Sequence, residues 1–466
     1  STTIAANNDH TQGTTLNGNA AGGALNAGIA GVVVGIGSNS AFGTGAITLG
    51  GTQNWHFGAV NGDRSVSNNI RIEGSSTAAF EAGGDQATNG ILANASQGTL
   101  RYLGMLDLGG RSNPTITGRP RATLFLGDIA NGPGGINFTQ GGSGIGSFSW
   151  LTSANGGVDK TFVGKVTIGD NATLVIDNDR SLGVAAGELT IGTTTIQVHP
   201  GVSAVTLIGR NFVNTAAKNP GFNIPVGTTL TIPGTFSGST TGQLIKQGPG
   251  TLVLSGNATA AITTGSMAIR SGTLRLDAAT FGGTVWTSGQ GLTLGTSAAY
   301  GNGGTLEITG TFAQSFGAVT VNSKANNINL TGAMALTVGT ITRVAGSTLN
   351  FSVPTGTVAS THAAVAGLVN GTTTFNGNDW AAANGTNITA LATYAALTGT
   401  STAPTITTAG TSNYLIASGT SNDVKMAATG TINANTLKYS DSTGRTIDIR
   451  SGTTQGTLRL GANTGT

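Results

Sequence analysis

Gly227-Thr-Thr-Leu230-Thr-Ile232, Gly250-Thr251-Leu252-Val253-Leu254 and Gly272-Thr273-Leu274-Arg275-Leu276 repeat one phrase, and the leucines Leu230, Leu252 and Leu274 fall 22 residues apart both times. A fixed period in the range of about 20 to 50 residues marks stacked units, none of which can bury its apolar face alone. Within each unit a glycine turn precedes a short strand of alternating apolar and polar residues. One such strand per 22 residues predicts the coils of a parallel β-solenoid.

Related phrases extend the pattern outward. Ser40-Ala-Phe-Gly-Thr-Gly-Ala-Ile47-Thr-Leu49, Ser181-Leu-Gly-Val-Ala-Ala-Gly-Glu-Leu189-Thr-Ile191 and Ala299-Tyr-Gly-Asn-Gly-Gly-Thr-Leu306-Glu-Ile308 each set a small apolar residue and a glycine turn before a period-2 strand. Thr99-Leu-Arg-Tyr-Leu103, Ala172-Thr-Leu174-Val-Ile176, Ser347-Thr-Leu349-Asn-Phe351 and Gly456-Thr-Leu458-Arg-Leu460 are further strands of this kind. The expectation is an all-β, right-handed parallel β-helix, elongated, with about 20 coils at about 4.8 Å each, or roughly 100 Å.

Four segments are expected. Residues 1–24 are small and polar and suit an extended arm or cap; 25–353 carry the solenoid; 354–418 lose the phrase, become Ala-rich and suit a helical or looped excursion; 419–466 return to terminal coils.

Composition agrees with turns and strands. The 466 residues include 77 glycines, and only 8% are charged, against usual shares of about 7% and about 25%. Disorder is not expected, because Thr, Val and Ile are abundant and the net charge is only +3. The sequence pI of about 9.3 reflects few titrating groups rather than a basic patch. Arg119-Pro-Arg121 is too sparse to neutralise a phosphate backbone, so no nucleic-acid partner is expected. With no cysteine, disulfides and thiolate metal sites are excluded. No run approaches about 18 apolar residues, so no membrane-spanning segment is expected. The sequence begins at Ser1 without Met or an apolar leader, so if the chain is exported its signal is expected to have been removed or to lie outside this sequence.

One stretch resembles a known family. Gly242-Gln-Leu244-Ile-Lys246-Gln-Gly248-Pro-Gly250-Thr251-Leu252-Val-Leu254-Ser255-Gly256-Asn257, closed by Ile269-Arg-Ser-Gly272-Thr273-Leu274-Arg-Leu276, resembles the passenger-associated β-strand repeat of autotransporters. Ala258-Thr-Ala-Ala261 replaces that family's usual aromatic and glycine residues, and no outer-membrane barrel pattern follows. Asn378-Asp-Trp380-Ala-Ala with Ile388-Thr-Ala-Leu-Ala-Thr-Tyr394-Ala395 is similar to a segment of very long surface proteins built from these repeats. The resemblance implies a β-helix displayed at, or released from, a bacterial surface, and it implies no catalytic residues.

Candidate sites are few. His10, His56, His199 and His362 are far apart and suggest no metal set. Gly141-Gly-Ser143-Gly144 lacks the strand-to-helix setting of a nucleophile elbow, and Gly35-Ile-Gly37 lacks the rest of a dinucleotide fingerprint. Asp170, Asp177 and Asp179 with Arg180 form the densest charged cluster; a polysaccharide lyase would use such carboxylates for calcium and a basic residue as base, whereas solvated turn residues are the plainer reading. Trp55, Trp150, Trp286 and Trp380 would stack on sugars if exposed and otherwise pack the core or corners. Asn94, Asn137, Asn257 and Asn384 open Asn-x-Ser/Thr triplets that composition alone explains.

No catalytic, cofactor or metal site is therefore expected, and no cofactor. The expected function is an extracellular structural or adhesive surface protein rather than an enzyme. A carbohydrate-active β-helix enzyme using Asp177, Asp179 and Arg180, or a passive glycan-binding module, is the alternative. Gly456-Thr-Leu458-Arg-Leu460 still carries the full strand phrase close to the C-terminal end and residues 1–24 can lie along a neighbour's edge, so head-to-tail self-association into an open filament is expected. Surface glycans are further candidate partners.

Overall fold

The computed structural model describes residues 2–4, 7–9, 11–18, 32–51, 55–73, 78–80, 97–110, 114–118, 123–130, 132–140, 146–150, 157–184, 187–214, 217–238, 242–255, 265–277, 286, 289–296, 302–322, 324–364, 367–397, 405–406, 412–417, 424–426, 431–440, 446–448, 450–451 and 454–460. These residues form a parallel β-solenoid of about 13 coils. The expected figure of about 20 assumed a constant 22-residue coil. Coils are often longer: the bond from Met105 to Asn69 spans 36 residues and that from Arg275 to Glu307 spans 32. The chain divides into two compact units, Ser1–Met267 and Ala268–Thr466.

In the first unit the strands form parallel ladders. One joins Thr2–Ile4, Val32–Ile36, Trp55–Ala59, Ala78–Phe80, Thr115–Gly118, Ile136–Gln140, Val166–Ile168, Leu189–Ile191, Phe212–Asn214 and Phe236–Gly238 in turn. Its in-register column Ile136, Val166, Leu189, Phe212, Phe236 is buried throughout. The rings of Phe212 and Phe236 stack at 4.8 Å. A second ladder holds Thr14–Gly18, Ile47–Gly51, Ile70–Ile72, Leu106–Asp107 and Ile129–Ala130. The described strands of 1–24, Thr2–Ile4 and Thr14–Gly18, are thus paired as part of the stack. Leu230 lies opposite Leu252 in parallel register, and both are wholly buried, as their phrase predicts.

The second unit stacks Gly272–Asp277, Gly304–Thr309, Lys324–Thr331, Ser347–Ser352 and Thr373–Phe375 in parallel. Leu274, Leu306, Ile328 and Phe351 form its buried column. Where a helical or looped excursion was expected over 354–418, the described residues of that range form strands and turns and no helix. Asp379–Ala383 runs antiparallel to Thr373–Phe375, and Asn387–Ala390 runs antiparallel to both Asp379–Ala383 and Thr357–Ser360. Two turns make the reversals: Asn376 and Gly377 both take positive φ, and Gly385 does so after Asn384. Beyond them, parallel pairs resume in Ala395–Leu397, Asn413–Ile416 and Thr436–Tyr439, with a cluster of Leu397, Ile406, Tyr414, Ile416, Val424 and Ala434 as its own core.

Where the backbone leaves a strand it loses ladder partners, and short Asp and Asn side chains replace them. The side-chain oxygens of Asp63, Asn69, Asp128, Asp170 and Asn219 accept the backbone N–H of Thr99, Met105, Thr161, Thr193 and Gln243 at 2.7–2.9 Å, each across one coil. Net of competition with water, a typical hydrogen bond contributes about 0.5–1.5 kcal/mol; these bonds are solvent-exposed, and each ties one coil to the next.

Candidate functional site

The acidic cluster singled out in the sequence does not converge. Asn178 caps a single 3-10 turn, Asp179–Leu182, by accepting from the backbone N–H of Arg180. Asp177, buried, accepts from the Ser181 hydroxyl at 2.9 Å. Asp179 points inward to Arg210, whose Nε donates to its Oδ1 at 2.7 Å while Nη2 donates to the carbonyls of Asp179 and Gly183. Arg180 is exposed and faces Asp159 at 3.8 Å. Asp170 accepts from Thr193 and pairs with Lys218, which holds its carboxyl below the usual range. Each carboxylate is therefore turned to a different scaffold partner, and the calcium-and-base geometry of a lyase is not assembled from Asp177, Asp179 and Arg180.

The histidines are likewise separate. Nδ1 of His199 accepts from Gly201. His362 links two coils, with Nδ1 accepting from Ile341 N–H and Nε2 contacting the Val369 carbonyl at 2.8 Å, which a proton on Nε2 satisfies. His56 lies on the strand Trp55–Ala59, and His10 lies outside the described residues. Among the described residues no three His, Cys, Asp or Glu side chains group to hold a metal ion.

Two tryptophans are core residues: Trp55 donates to the Gly50 carbonyl, and Trp286 is wholly buried against Gln314. Trp150 ends the strand Gly146–Trp150. Trp380 is half-buried on the antiparallel excursion, beside Tyr394, whose hydroxyl accepts from Trp380 N–H. Gly35-Ile-Gly37 continues a strand with Ile36 in the core, whereas Gly141–Gly144, Arg119–Arg121, Asn94 and Asn257 lie outside the described residues. Asn137 sits half-buried within Ile136–Gln140, and Asn384 closes its turn by accepting from Thr386 and Asn387.

Two buried lysines were not foreseen. Lys160 Nζ donates to the carbonyls of Gly127 at 2.6 Å, Val158 at 2.9 Å and Leu126 at 3.3 Å. Burial brings its ammonium down to about 8, with Asp128, Asp177 and Asp159 opposing that fall. Lys246 Nζ donates to the carbonyls of Gln247 and Gly248 at 2.8 and 2.7 Å, and burial pushes it down to about 7. The sequence signal for Lys246 was its parity, shared with the core residue Leu244 on one strand.

One open cleft of about 720 Å³ lies on the first unit, where Arg71 and Asp107 meet the exposed Thr161 and Val163. Neither residue stood out in the sequence, where each is the polar member of an apolar-polar-apolar triplet.

The chain is a parallel β-solenoid, and several of its ionisable side chains, such as Asp63, Asp128 and Arg210, bond across neighbouring coils. In comparison with known proteins, the chain matches no family model, no curated protein and no solved structure. Among the described residues no helix is long and apolar enough to cross a membrane.

Proposed function

We propose that the chain is an extracellular structural or adhesive surface protein, part of a bacterial cell surface or matrix, and that it works as a self-associating filament or fibre subunit. The observation that carries this reading is the use of Asp and Asn oxygens as coil-to-coil acceptors, with Asp63 to Thr99 and Asp128 to Thr161 as examples. Side chains committed to holding a stack straight serve display better than turnover. The autotransporter-like repeat around Leu252 adds the surface location, and low charge offers little repulsion between subunits. A passive glycan-binding module is the second reading, favoured by the cleft at Arg71.

Antibodies raised to the purified chain should label intact source cells, and protease shaving should remove the label. Purified chain should also sediment as concentration-dependent polymers that appear as filaments by electron microscopy. Labelling only after lysis would overturn the surface assignment; particles of one size at every concentration would overturn the filament.

A further inference from the structure

We propose that Asn384 is a site of fold-assisted self-modification, in which its carboxamide cyclises onto the backbone nitrogen of Gly385 and is opened by water to an aspartyl or isoaspartyl residue. Gly385 and Thr386 form the two-residue loop between Asp379–Ala383 and Asn387–Ala390, closed where the Asn384 N–H donates to the Asn387 carbonyl at 3.2 Å. Gly385 takes φ of +88° as the first loop residue, where a type II′ turn places glycine. Asn384, Gly385, Thr386 and Asn387 are all exposed, so water reaches the loop.

The electrophile is polarised. Asn384 Oδ1 accepts from Thr386 N–H at 3.1 Å, from the Thr386 hydroxyl at 3.0 Å and from Asn387 N–H at 2.8 Å. When a nitrogen adds to Cγ, negative charge gathers on this oxygen, and donors already aimed at it stabilise that charge as an oxyanion hole does. The nucleophile is open. Among the described residues the Gly385 N–H makes no hydrogen bond, and a Cβ built on Gly385 would meet nothing within 4 Å. Among the same residues no acceptor holds Asn384 Nδ2, the group that must leave.

Water is the only co-reactant the step needs. Gly385 N loses its proton to solvent and bonds to Cγ, the Cγ–Nδ2 bond breaks, and Nδ2 takes up a proton and departs as ammonia. Water then opens the cyclic imide at either carbonyl. The product lowers the formal net charge of +3 by one. Opened the other way, it also adds a main-chain atom to a loop of two residues.

Asn376-Gly377 and Asn370-Gly371, on the same excursion, carry the same dipeptide and are held differently. The Gly377 N–H is engaged, donating to Asn350 Oδ1 at 2.9 Å, and both side-chain atoms of Asn376 are tied to the Val353 backbone, at 2.6 and 3.4 Å. Asn370 Oδ1 accepts from Thr372 and Thr373, but the residue is only 8% exposed, which keeps solvent base and water from it. Nothing in this chemistry depends on where the protein is displayed.

The test is peptide mass spectrometry of the purified full chain held at mildly alkaline pH, folded and, in parallel, unfolded in urea. Each conversion adds about 1 Da, and chromatography separates the aspartyl and isoaspartyl peptides. Asn384 should convert faster folded than in urea, and in the folded chain about tenfold or more faster than Asn376 or Asn370. In urea the three should agree within about threefold, because only the local dipeptide then acts. Thr386→Val, exposed and close in shape, removes the hydroxyl donor and should slow Asn384 in the folded chain by about threefold or more, with its rate in urea unchanged. An unchanged circular-dichroism melt shows that this variant folds. An Asn384 that converts no faster folded than unfolded, or no faster than its two counterparts in the folded chain, overturns the proposal. A Thr386→Val rate equal to wild type overturns the part given to the hydroxyl.

Discussion

Arg210 lies wholly buried against Asp179, its Nε 2.7 Å from the carboxylate Oδ1, and it spends two further hydrogen bonds on the carbonyls of Asp179 and Gly183. The pair closes a 3-10 turn onto a coil 31 residues later. Removing one partner strands a charge. Arg210→Met should therefore lower unfolding free energy by about 3–5 kcal/mol, whereas the double change with Asp179→Leu should recover much of that loss. Urea denaturation followed by circular dichroism measures both; equal losses in the single and double variants would show that the charge pairing is irrelevant.

Leu252 faces Leu230 across the ladder with no solvent exposure. Leu252→Ala removes apolar contacts and leaves a cavity that the paired coils cannot close, at a cost of about 2–5 kcal/mol. The denaturation midpoint reports it, and a change smaller than that of an exposed Val226→Ala control would contradict the column.

Lys246 makes folding depend on pH in a stated direction. Its folded value of about 7 lies below the ordinary 10.5. Below pH 7 both states hold the proton and the full burial cost is present. Between about 7 and 10.5 the folded lysine releases its proton while the unfolded one keeps it, so stability rises with pH, by at most about 1.4 kcal/mol per unit. Melting temperatures measured from pH 6.5 to 9.5 should climb, and Lys246→Met should flatten the climb; an identical slope in that variant counts against the assignment.

Asn326 is buried with four contacts: its Oδ1 accepts Gly304 N–H, and its Nδ2 donates to the carbonyls of Asn322, Lys324 and Thr348. Asn326→Ala should cost roughly 2–3 kcal/mol. Asn326→Asp keeps the acceptor but sets carboxylate oxygen against three carbonyls, so at neutral pH it should be the worse variant, and the gap should narrow in acid as the carboxyl protonates. Parallel urea titrations at pH 7 and pH 4 decide this; an aspartate variant as stable as wild type at pH 7 would refute the donor count.

Gly248 takes φ of +73° and a Cβ there would sit 2.3 Å from the Ile224 carbonyl oxygen. Gly248→Ala must meet both the left-handed backbone cost of roughly 1–2 kcal/mol and a backbone clash. A thermal melt should fall further than for Gly227→Ala, whose added Cβ meets nothing within 4 Å although its φ is also positive.

The core columns were legible because they need only parity and spacing. Leu230, Leu252 and Leu274 announce both, and all three are buried. Pairings between coils were not legible, because the number of residues per coil varies. Nothing local in Ser181-Leu-Gly or Leu207-Ile-Gly-Arg210 says that Arg210 will reach Asp179, and nothing in Ile70-Arg71-Ile72 places it beside Asp107. The antiparallel excursion was obscured by its alanines, which favour helix. Its hairpin cue, Asn376-Gly377, stood in plain view: this dipeptide is the strongest short-range signal for chain reversal between strands. Lys160 was hidden for another reason, since its three carbonyl partners lie on turns rather than in any pattern of side chains.

That excursion divides the second unit in a way that matters for how it comes apart. A parallel stack behaves as a one-dimensional lattice, in which each coil is ordered by its neighbour and order spreads from any starting point. At Thr373–Phe375 the next strand, Asp379–Ala383, runs the other way, and its partner Asn387–Ala390 joins Thr357–Ser360 also in reverse. Parallel register cannot be copied through such a reversal, so it acts as a domain wall. The Leu306 column on one side and the Tyr414 and Ile416 cluster on the other then melt as separate blocks. A cavity at Leu306 would loosen amide protons up to Phe375 while those of Asn413–Ile416 exchange at their original rate.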